Sequence, residues 1–571
     1  MIQTDVLIIG AGPVGLLAAL SLARNGVACV LADKRVERSA APRAHAVNAR
    51  TLEICDRLGL SALRVRSQGA RADHAGWVRF RQSLTGAEFG HLPYERQQDD
   101  VLDLTPFPLT NIAQPDFEAL LSSALDRTTH VGMLRGARCD PPQQDTDGVT
   151  TPIHMRGNAS PIPVRSQVVI AADGAGSATR ESLGIAMEGP EGLQHNLMLH
   201  FEADLTEQVG NNPGVLHFLF QPDSVSAMIC YDARRSWVLM HGWDPSRESV
   251  DDYDDDRCRN IIEAAVGAPI ADLQIHHRSP WTLCAQVAER YRDGRVFLAG
   301  DAAHRFPPTG GLGLNTGIGD AHNLAWKLAW VLRGLAAPDL LDSYEIERQP
   351  VARINSLQSL LNSGQMMQLV AAILGPDPAN IEGHLTQLAD DPTNDATLAA
   401  AIDAQRPHFD SLALQLGYRY ASSAVVGGEA WAPPTDISDY QGTFVAGASL
   451  PHRWVEQNGV RASWLSAIRV DGFTLFTGSK ADVWRDACNR SGQPITLVNE
   501  GTSYSADDSL WSSVTGLTDS GALLVRPDGH IAATWASDVD ARIALPDVLS
   551  RVLSTAQLQA SQAEPQRGTA A

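Results

Sequence analysis

The chain has 571 residues and a formal net charge of −21 at pH 7, with 44% hydrophobic and 19% charged residues. This length exceeds what one hydrophobic core usually supports, so we expect a globular protein of two or three domains. An acidic surface repels phosphates, and no apolar run reaches the ~18 residues that a spanning helix requires, so neither nucleic acid nor a membrane is an expected partner.

Cysteine usage and the first residues predict a cytoplasmic protein. The seven cysteines are an odd number and include no Cys-x-x-Cys pair, which favours reduced thiols over a disulfide framework or a zinc site. A predicted strand begins within the first six residues, which leaves no room for a signal peptide. The acidic run at residues 251–256 lacks the spacing of a calcium loop, so we expect a solvated helix start and no metal.

The first chemical signal is a glycine-rich turn between a predicted strand and a predicted helix. An apolar run at residues 6–9 leads into Gly-Ala-Gly-Pro-Val-Gly at residues 10–15, after which alanine and leucine predominate. Gly10, Gly12 and Gly15 would permit the turn, the approach of the backbone to a pyrophosphate, and close packing of helix on strand. The pattern therefore predicts a dinucleotide-binding unit.

The acid after the second predicted strand narrows the choice of nucleotide. Apolar residues 29–32 end at Asp33, where a carboxylate can accept hydrogen bonds from both hydroxyls of an adenosine ribose. A free 2′-hydroxyl favours FAD or NAD over NADP.

Two later segments favour FAD over NAD. One apolar run ends at Asp173-Gly174. Another ends at Gly300-Asp301, and a glycine-rich stretch follows it at residues 307–317. A carboxylate at the carboxyl end of a parallel strand can bind ribitol hydroxyls, which FAD has and NAD lacks. Asp-Gly is also a common turn former, so Asp173 on its own would be interpreted as part of a turn.

These motifs resemble those of the single-component FAD-dependent aromatic hydroxylases, a group that includes p-hydroxybenzoate hydroxylase, phenol 2-monooxygenase and 2,4-dichlorophenol hydroxylase. The likeness covers most of the chain and implies an α/β fold with α+β elements. Its expected parts are a Rossmann-like FAD-binding domain, an inserted β-sheet substrate domain and a C-terminal thioredoxin-like domain without the redox motif. The segments that carry the resemblance are Gly10-x-Gly12-x-x-Gly15, Pro42-Arg43-Ala44-His45, Asn48-x-Arg50-Thr51-x-Glu53, Gln114, Ala172-Asp173-Gly174-x-x-Ser177-x-x-Arg180 and residues 300–328.

The resemblance also implies which residues contact the cofactor. Asp173 would lie near the pyrophosphate, Asp301 would hold the ribitol, and Pro308 would pack beside the reactive flavin edge as a catalytic residue. Without the resemblance, Arg43 would be a solvated charge and Gln114 a helix cap. The full predicted set of cofactor-binding residues is Gly10, Gly12, Pro13, Gly15, Asp33, Lys34, Arg43, Gln114, Asp173, Gly174, Gly300, Asp301, Pro308, Gly311, Gly313, Leu314 and Asn315.

Changes of pattern along the chain predict the domain boundaries. Apolar and polar residues alternate at 215–220 and 236–243, which predicts strands of a sheet with one covered face. Such a sheet resembles the family's substrate domain, whose inner face roofs the flavin. The predicted divisions are an FAD-binding domain at 1–80, 100–184 and 285–360, a substrate domain at 81–99 and 185–284, a helical region and linker at 361–435, a thioredoxin-like domain at 436–556 and a disordered tail at 557–571.

The implied reaction is hydroxylation of a phenolic or related aromatic substrate with O2 through a flavin C4a-hydroperoxide. Loss of the phenol proton makes the ring carbon nucleophilic, so a base beside the hydroxyl lowers the barrier. His45 is the candidate base because it aligns with a substrate-facing acidic position of the phenol hydroxylase pattern. The alternative is a histidine that hydrogen-bonds the loop or the flavin without proton transfer.

The predicted substrate pocket is aromatic and favours a neutral ring over a carboxylate-bearing one. Each of its members could instead belong to the core or the surface. The candidates, on or beside the predicted roof strands, are His217, Tyr231, His241, Trp243 and Trp281.

NADH or NADPH must reduce the flavin, yet the chain has no second complete Gly-x-Gly-x-x-Gly unit. This fits a donor that visits the flavin transiently. A homodimer is retained as a possible assembly. Two alternative functions stay open: a flavin oxidoreductase that inserts no oxygen, and a catalytically silent protein that binds FAD or a partner.

Overall fold

The computed structural model describes residues 1–38, 41–391, 395–504, 510–537 and 540–554. The predicted disordered tail at 557–571 lies outside these residues. In the described ranges, no helix combines the length and the apolar character needed to cross a membrane. All seven cysteines are free thiols.

The strands, numbered in chain order, are β1 (Ile2–Ile9), β2 (Cys29–Asp33), β3 (Ala46–Val47), β4 (Trp77–Arg81), β5 (Glu88–Pro93), β6 (Thr110–Asn111), β7 (Val131–Arg135), β8 (Ala137–Cys139), β9 (Gln143–Gln144), β10 (Val149–Met155), β11 (Ile162–Ala171), β12 (Met187–Glu188), β13 (Gln194–Glu202), β14 (Leu216–Gln221), β15 (Ser224–Asp232), β16 (Ser236–Gly242), β17 (Gln274–Leu283), β18 (Gln286–Ala288), β19 (Arg292–Asp293), β20 (Val296–Leu298), β21 (His304–Arg305), β22 (Trp454–Gln457), β23 (Val460–Ser463), β24 (Phe473–Thr477), β25 (Ile495–Asn499), β26 (Ala522–Val525) and β27 (Ile531–Trp535).

The α-helices are α1 (Pro13–Arg24), α2 (Ala49–Arg57), α3 (Ala62–Gln68), α4 (Ala72–Ala75), α5 (Gln114–Leu125), α6 (Ala178–Ser182), α7 (Thr206–Val209), α8 (Asp255–Val266), α9 (Leu312–Leu332), α10 (Ser343–Leu374), α11 (Ile381–Asp390), α12 (Ala396–Asp403), α13 (Arg406–Phe409), α14 (Leu412–Leu416), α15 (Asp482–Arg490), α16 (Leu510–Thr515) and α17 (Ala541–Val552).

The first sheet has the strand order β19-β20-β11-β1-β2-β7 and is parallel from β20 to β7. Its central strand β1 pairs Val6 with Cys29 on one side and Leu7 with Val169 on the other. Both faces of these strands are buried, which explains their nearly continuous apolar runs. Parallel pairing brings the carboxyl ends of β1, β2, β11 and β20 to one edge, so the turns that follow them meet there.

The second sheet, called the roof sheet below, has the strand order β17-β13-β16-β15-β14-β4-β5. Side chains alternate between its two faces. The outer face, which includes Leu199 and Trp237, packs against Ile262 of α8 in one apolar cluster. The inner face, which includes Met198 and Val238, packs against Ala41 of the segment after β2. The inner face therefore looks toward the edge of the first sheet at which β1, β2, β11 and β20 end.

The roof sheet also includes two strands from the N-terminal third of the chain. β4 pairs in parallel with β14, and β5 pairs with β4. We propose that the first inserted segment begins at Trp77, where β4 starts, rather than at residue 81. The other predicted domain boundaries stay predictions.

The C-terminal part has a sheet in the order β25-β24-β26-β27, in which β24 and β25 are parallel and the other neighbours antiparallel. One face packs on α15 and α17. Trp330 of α9 meets Phe473 of β24 edge-on, with ring centroids 5.1 Å apart. The predicted α/β class, with an inserted sheet and a mixed C-terminal sheet, is confirmed.

Candidate active site

Three glycines in the turn after β1 have different surroundings. Gly10 has φ +104°, and a Cβ there would lie 2.2 Å from the carbonyl oxygen of Ala172. A Cβ on Gly15 would lie 1.9 Å from the carbonyl oxygen of Gly10, whereas one on Gly12 would meet nothing within 4 Å. Gly12 thus faces open space at the start of α1, where Pro13 occupies the first turn and no side chain caps the N–H groups. These N–H groups can bind an anion.

The Asp33 carboxylate at the end of β2 is buried and already hydrogen-bonded. It accepts from the backbone N–H of Ala11 at 2.8 Å and of Arg35 at 2.7 Å, and the Arg35 guanidinium donates two further bonds. Burial raises the pKa of Asp33, but the bonds from Arg35 outweigh it and hold the pKa below its ordinary value. A ribose hydroxyl would therefore share this carboxylate with Arg35. The neighbouring Lys34 is exposed.

Asp173, after β11, uses its carboxylate to stabilise its own turn. It accepts from the hydroxyl of Ser177 at 2.5 Å and from the hydroxyl and N–H of Thr179 at 2.9 and 3.2 Å. Gly174 has φ +90°, and a Cβ there would meet nothing within 4 Å. The turn therefore offers open backbone at Gly174, while the Asp173 side chain serves the loop.

Asp301 follows β20 at the same edge of the sheet. Its side chain is exposed, yet burial raises its pKa, an effect that His304, Arg43 and Arg305 partly offset. Solvent access combined with desolvation indicates that the carboxylate lines a crevice. The turn depends on Gly300, which has φ +62°.

The segment before α9 forms another wall. Pro308 is exposed, and its carbonyl accepts from the N–H of Gly311 at 3.0 Å. Gly311 is the N-cap residue of α9, with φ +62° and no side-chain hydrogen bond to the helix. A Cβ on it would lie 3.1 Å from the Cβ of Ala46. A Cβ on Gly313 would meet nothing within 4 Å, and Leu314 is half-buried. The helix therefore presents uncapped N–H groups beside the predicted flavin position.

Asn315 fastens α9 to the segment that carries His45. Its Oδ1 accepts from the N–H of Asn48 at 3.1 Å and the hydroxyl of Thr51 at 2.7 Å. Its Nδ2 donates to the carbonyl of Ala46 at 3.0 Å. The side chain is thus committed to the protein, so the predicted cofactor contact of Asn315 is restricted to its backbone.

Gln114 begins α5 near the ribose end of the edge. Its N–H donates to the carbonyl of Ala44 at 3.0 Å, and its amide donates to Glu118 Oε1 at 2.8 Å. Glu118 Oε2 is buried and has no hydrogen-bond partner in the described part of the chain. A buried acceptor of this kind fits a hydroxyl of a bound ligand.

A chain of two amides orients His45. Gln97 Nε2 donates to the carbonyls of Ala75 at 3.0 Å and Tyr94 at 2.8 Å, which settles the orientation of this amide. Gln97 Oε1 therefore accepts from Asn111 Nδ2 at 3.1 Å, and Asn111 Oδ1 faces His45 Nδ1 at 2.8 Å. Because an amide oxygen only accepts, the geometry assigns the proton to Nδ1 and leaves Nε2 of the neutral ring as an acceptor.

Two tyrosines surround the His45 ring. The centroid of Tyr94 lies 5.8 Å away and that of Tyr231 lies 6.2 Å away. Burial lowers the pKa of His45, which the hydrogen bond with Asn111 partly offsets, and burial raises the pKa of both tyrosines. At neutral pH the imidazole is therefore uncharged, with Nε2 able to accept a proton.

Three of the predicted pocket residues lie on the outer face of the roof sheet, so their predicted contact with substrate is wrong. His217 is fully buried and lies 6.3 Å from the ring of Trp237. The rings of His241 and Trp243 lie 6.4 and 6.2 Å from that of Tyr253, which is two residues before α8. Alternation predicted two faces, but it could not say which face α8 would cover.

The inner face carries the other two predicted pocket residues. Tyr231 packs with Met198 and Met240, and its buried hydroxyl has no hydrogen-bond partner among the described residues. Trp281 pairs with Asn196 of β13 and so lies on the same face.

The residues beside His45 and those on the inner face of the roof sheet form the proposed substrate chamber. Sequence reasoning missed several of them. Asn111 and Gln97 lie in a two-residue strand and a loop, where no periodic pattern distinguishes a functional amide. Met240 occupies an alternate position of a strand that was predicted, and only the choice of face was missing. Met198 lies in β13, for which no alternating pattern was identified.

The residues of this edge fit FAD. Uncapped helix N-termini, open backbone at Gly12 and Gly174, and an acid at each of Asp33 and Asp301 match its pyrophosphate, ribose and ribitol. When bound and reduced, FAD supplies the activation of O2. With the aromatic rings beside His45, the fold and site define a flavin-dependent oxygenase of aromatic compounds.

Comparisons with known proteins agree with this class. A family described as "FAD binding domain" matches residues 3–357, and one described as "Aromatic-ring hydroxylase, C-terminal" matches residues 443–556. The chain belongs to this family of FAD-dependent aromatic-ring hydroxylases, and the predicted function class is confirmed.

Similar proteins match along nearly the whole chain. The tetracenomycin B2 monooxygenase-dioxygenase of Streptomyces olivaceus is 33% identical, with 97% of this chain and 99% of the relative covered. The 2,4-dichlorophenol 6-monooxygenase of Cupriavidus pinatubonensis is 32% identical, with 97% and 96% covered. The crystal structure of the flavin-dependent monooxygenase PieE with FAD and substrate has a TM-score of 0.90 at 33% identity, with 97% and 99% covered.

Proposed function

We propose that this enzyme hydroxylates neutral phenols with NADH or NADPH as electron donor, and that His45 takes the phenol proton. The observation that carries the proposal is the orientation of the Asn111 amide, which leaves His45 Nε2 as an acceptor. A phenol would donate to Nε2 and accept from the Tyr231 hydroxyl, which has no other partner in the part of the chain that the structure describes. Both bonds would orient the ring and polarise the O–H group.

The roof supports a neutral substrate. Its inner face near Tyr231 carries the uncharged side chains of Met198, Val238 and Met240, and a carboxylate there would be buried without a cation. The relatives are named for tetracenomycin B2 and 2,4-dichlorophenol. Methionine side chains adapt to rings of different shape. We therefore propose that phenols resembling tetracenomycin B2 and phenols resembling 2,4-dichlorophenol both be tried as substrates.

The electron donor would reach the flavin transiently. The chain has one Gly-x-Gly-x-x-Gly unit, at residues 10–15, and the flavin requires it. The predicted homodimer stays a prediction, which sedimentation velocity would test.

The first experiment is a panel of phenols assayed with NADH and with NADPH. We expect some phenols to stimulate O2 uptake and to yield a hydroxylated product in proportion to the NAD(P)H consumed. Product formation without O2 would indicate a reductase, and no turnover with any phenol would indicate a binding protein.

The second experiment tests the base. His45→Ala should keep bound FAD and yellow colour but lose coupled hydroxylation by about 10²- to 10⁴-fold, the usual contribution of a general base. His217→Gln is the matched control, because this buried histidine faces α8 rather than the chamber. Normal hydroxylation by the His45 variant would refute the assignment.

A further inference from the structure

Asp320, in the middle of α9, holds the turn that carries Asp301. Its Oδ2 accepts from the N–H of Gly300 at 3.1 Å and lies 2.9 Å from His304 Nε2. Its Oδ1 accepts from Arg348 Nε at 2.8 Å. The side chains of Asp320 and His304 are 0% exposed, so water cannot replace these bonds. The orientation of the turn therefore depends on how Asp320 is held.

Arg348 of α10 links this acid to the linker before the C-terminal domain. Its two terminal nitrogens donate to the hydroxyl of Tyr420 and to the carbonyl of Thr316, each at 3.0 Å. Gly319 makes room for it, since a Cβ there would lie 2.7 Å from the guanidinium. The ring of Tyr420 stacks on His530, with centroids 4.0 Å apart. Two side chains thus connect Asp320 to the turn between β26 and β27.

That turn contributes a second buried ionic cluster. Arg526 donates to both oxygens of Glu347 at 2.6 and 2.9 Å and to Asp528 at 2.5 and 3.0 Å. Glu347 also accepts from Lys327 Nζ and Asn323 Nδ2, each at 2.7 Å. The side chains of Arg526, Glu347 and Lys327 are 0% exposed. The turn is therefore joined to both α9 and α10.

A third helix contacts the same turn. Arg57, at the end of α2, donates to the carbonyl of Pro527. Gly529 has φ +88°, and a Cβ there would lie 2.6 Å from the Arg57 guanidinium. The helix α2 follows the segment that carries His45, so the turn contacts α2 as well as α9 and α10.

Buried charge clusters add little net stability compared with apolar packing, and their best-supported use is to impose one arrangement. We propose that the C-terminal domain is a positioning element of the flavin site. Its turn at residues 526–530, acting through Tyr420 and Arg348, holds Asp320 and thereby the Gly300 turn that binds FAD. The proposal concerns FAD binding and does not depend on the donor or the substrate.

The test is Tyr420→Phe, which removes the hydroxyl that accepts from Arg348 and keeps the ring on His530. We expect the folded apoprotein to bind FAD about tenfold more weakly, which corresponds to the loss of one hydrogen bond to a charged group. Titration followed by flavin fluorescence measures the affinity, and visible circular dichroism of the bound flavin reports a changed environment.

Tyr504→Phe is the matched control, because this tyrosine is buried in the same C-terminal part and its hydroxyl has no partner in the described ranges. It should bind FAD as the wild type does. Asp528→Asn is a second variant that weakens the cluster from the other end and should also reduce FAD affinity. Wild-type affinity and dichroism in both Tyr420→Phe and Asp528→Asn, with folding verified by far-ultraviolet dichroism, would overturn the proposal.

Discussion

In the proposed mechanism, one ring nitrogen of His45 takes the proton of a bound phenol. The amides of Gln97 and Asn111 assign the proton to Nδ1, which leaves Nε2 for the substrate. The other titratable side chains that face the ring are Tyr94 and Tyr231, and burial raises the pKa of both. Both tyrosines stay neutral at neutral and acidic pH, so His45 is the one of these three side chains that gains a charge as the pH falls.

Burial lowers the pKa of His45 below 6.5, so the neutral base persists to more acidic pH than in a free histidine. Coupled hydroxylation should therefore stay level near neutral pH and decline only below pH 6.5. Asn111→Asp would place a carboxylate beside Nδ1, stabilise the imidazolium and move this decline to higher pH. The pH profile of single-turnover product formation measures it, and Asn212→Asp, an exposed position, is the control. An unmoved profile in Asn111→Asp would contradict the role given to His45.

Asp301 is the second residue whose role can be tested alone. Asp301→Ala removes the carboxylate from the crevice and should weaken FAD binding by about 10- to 100-fold, as expected for charge-assisted hydrogen bonds to hydroxyl groups. Equilibrium titration of the apoprotein with FAD measures the loss. Asp223→Ala, at an exposed hairpin position, should have no effect, and equal affinities in the two variants would refute the assignment.

At the scale of elements, we expect two glycines of the turn from β1 into α1 to have different roles, Gly15 in packing and Gly12 in FAD binding. Gly15→Ala would press a methyl group onto the Gly10 carbonyl, 1.9 Å away, whereas Gly12→Ala meets open space. We expect Gly15→Ala to lower the melting temperature of the apoprotein. Gly12→Ala should keep that temperature and lose FAD affinity, because its methyl group would occupy the space of the pyrophosphate. If Gly12→Ala binds FAD normally, the pyrophosphate lies elsewhere.

Two neighbouring residues of the roof strand β16 can be compared in the same way. Met240 lies on the inner face and His241 on the outer face. Met240→Ala should enlarge the chamber and shift relative kcat/KM toward bulkier phenols by about 10-fold, the usual effect of a few methylene groups in a pocket. His241→Ala should lower thermal stability and leave selectivity unchanged. Competition between a small and a large phenol measures the shift, and a selectivity change in His241→Ala alone would mean that the faces have been reversed.

At the scale of the whole molecule, the buried ionic cluster around Arg526 connects the flavin and C-terminal domains. Its contribution to stability should depend on pH. Burial raises the pKa of Glu347 and of Asp528, but Arg526 outweighs it and holds both pKa values below the ordinary range. A carboxylate with a lower pKa in the folded state stabilises the fold above its unfolded pKa and loses this contribution as pH falls. The melting temperature should therefore decline as the pH falls below the ordinary value of 4.5 for Glu347.

Asp528→Asn should show a lower melting temperature at neutral pH and a shallower decline in acid, since one of the titrating groups is gone. Scanning calorimetry of the holoenzyme from about pH 6 to about pH 3 would measure both slopes. Asp223→Asn, at an exposed position, should keep the wild-type slope. Parallel curves for Asp528→Asn and wild type would show that this cluster does not control acid stability.

The FAD-binding edge of the first sheet could be predicted because its sequence motifs are local. A strand, a glycine turn and a helix follow one another within 24 residues, and parallel pairing then brings the later acids to the same edge. Two of the roof strands, β14 and β16, could also be predicted from alternation. Their inner face could not, because Met240 and His241 fit the same pattern and only the position of α8 distinguishes them.

The sequence by itself determined that this protein binds FAD, since short-range patterns and motif order carry that information, and its resemblance to the aromatic hydroxylases indicated the reaction class. The tertiary structure decided which face of the roof lines the chamber, which nitrogen of His45 is free, and how the C-terminal turn reaches Asp320. Each of these depends on distant segments, such as His45 and Asn111, which are 66 residues apart, and Glu347 and Arg526, which are 179 apart. Hydrogen bonds and packing between such segments arise only when the chain has folded.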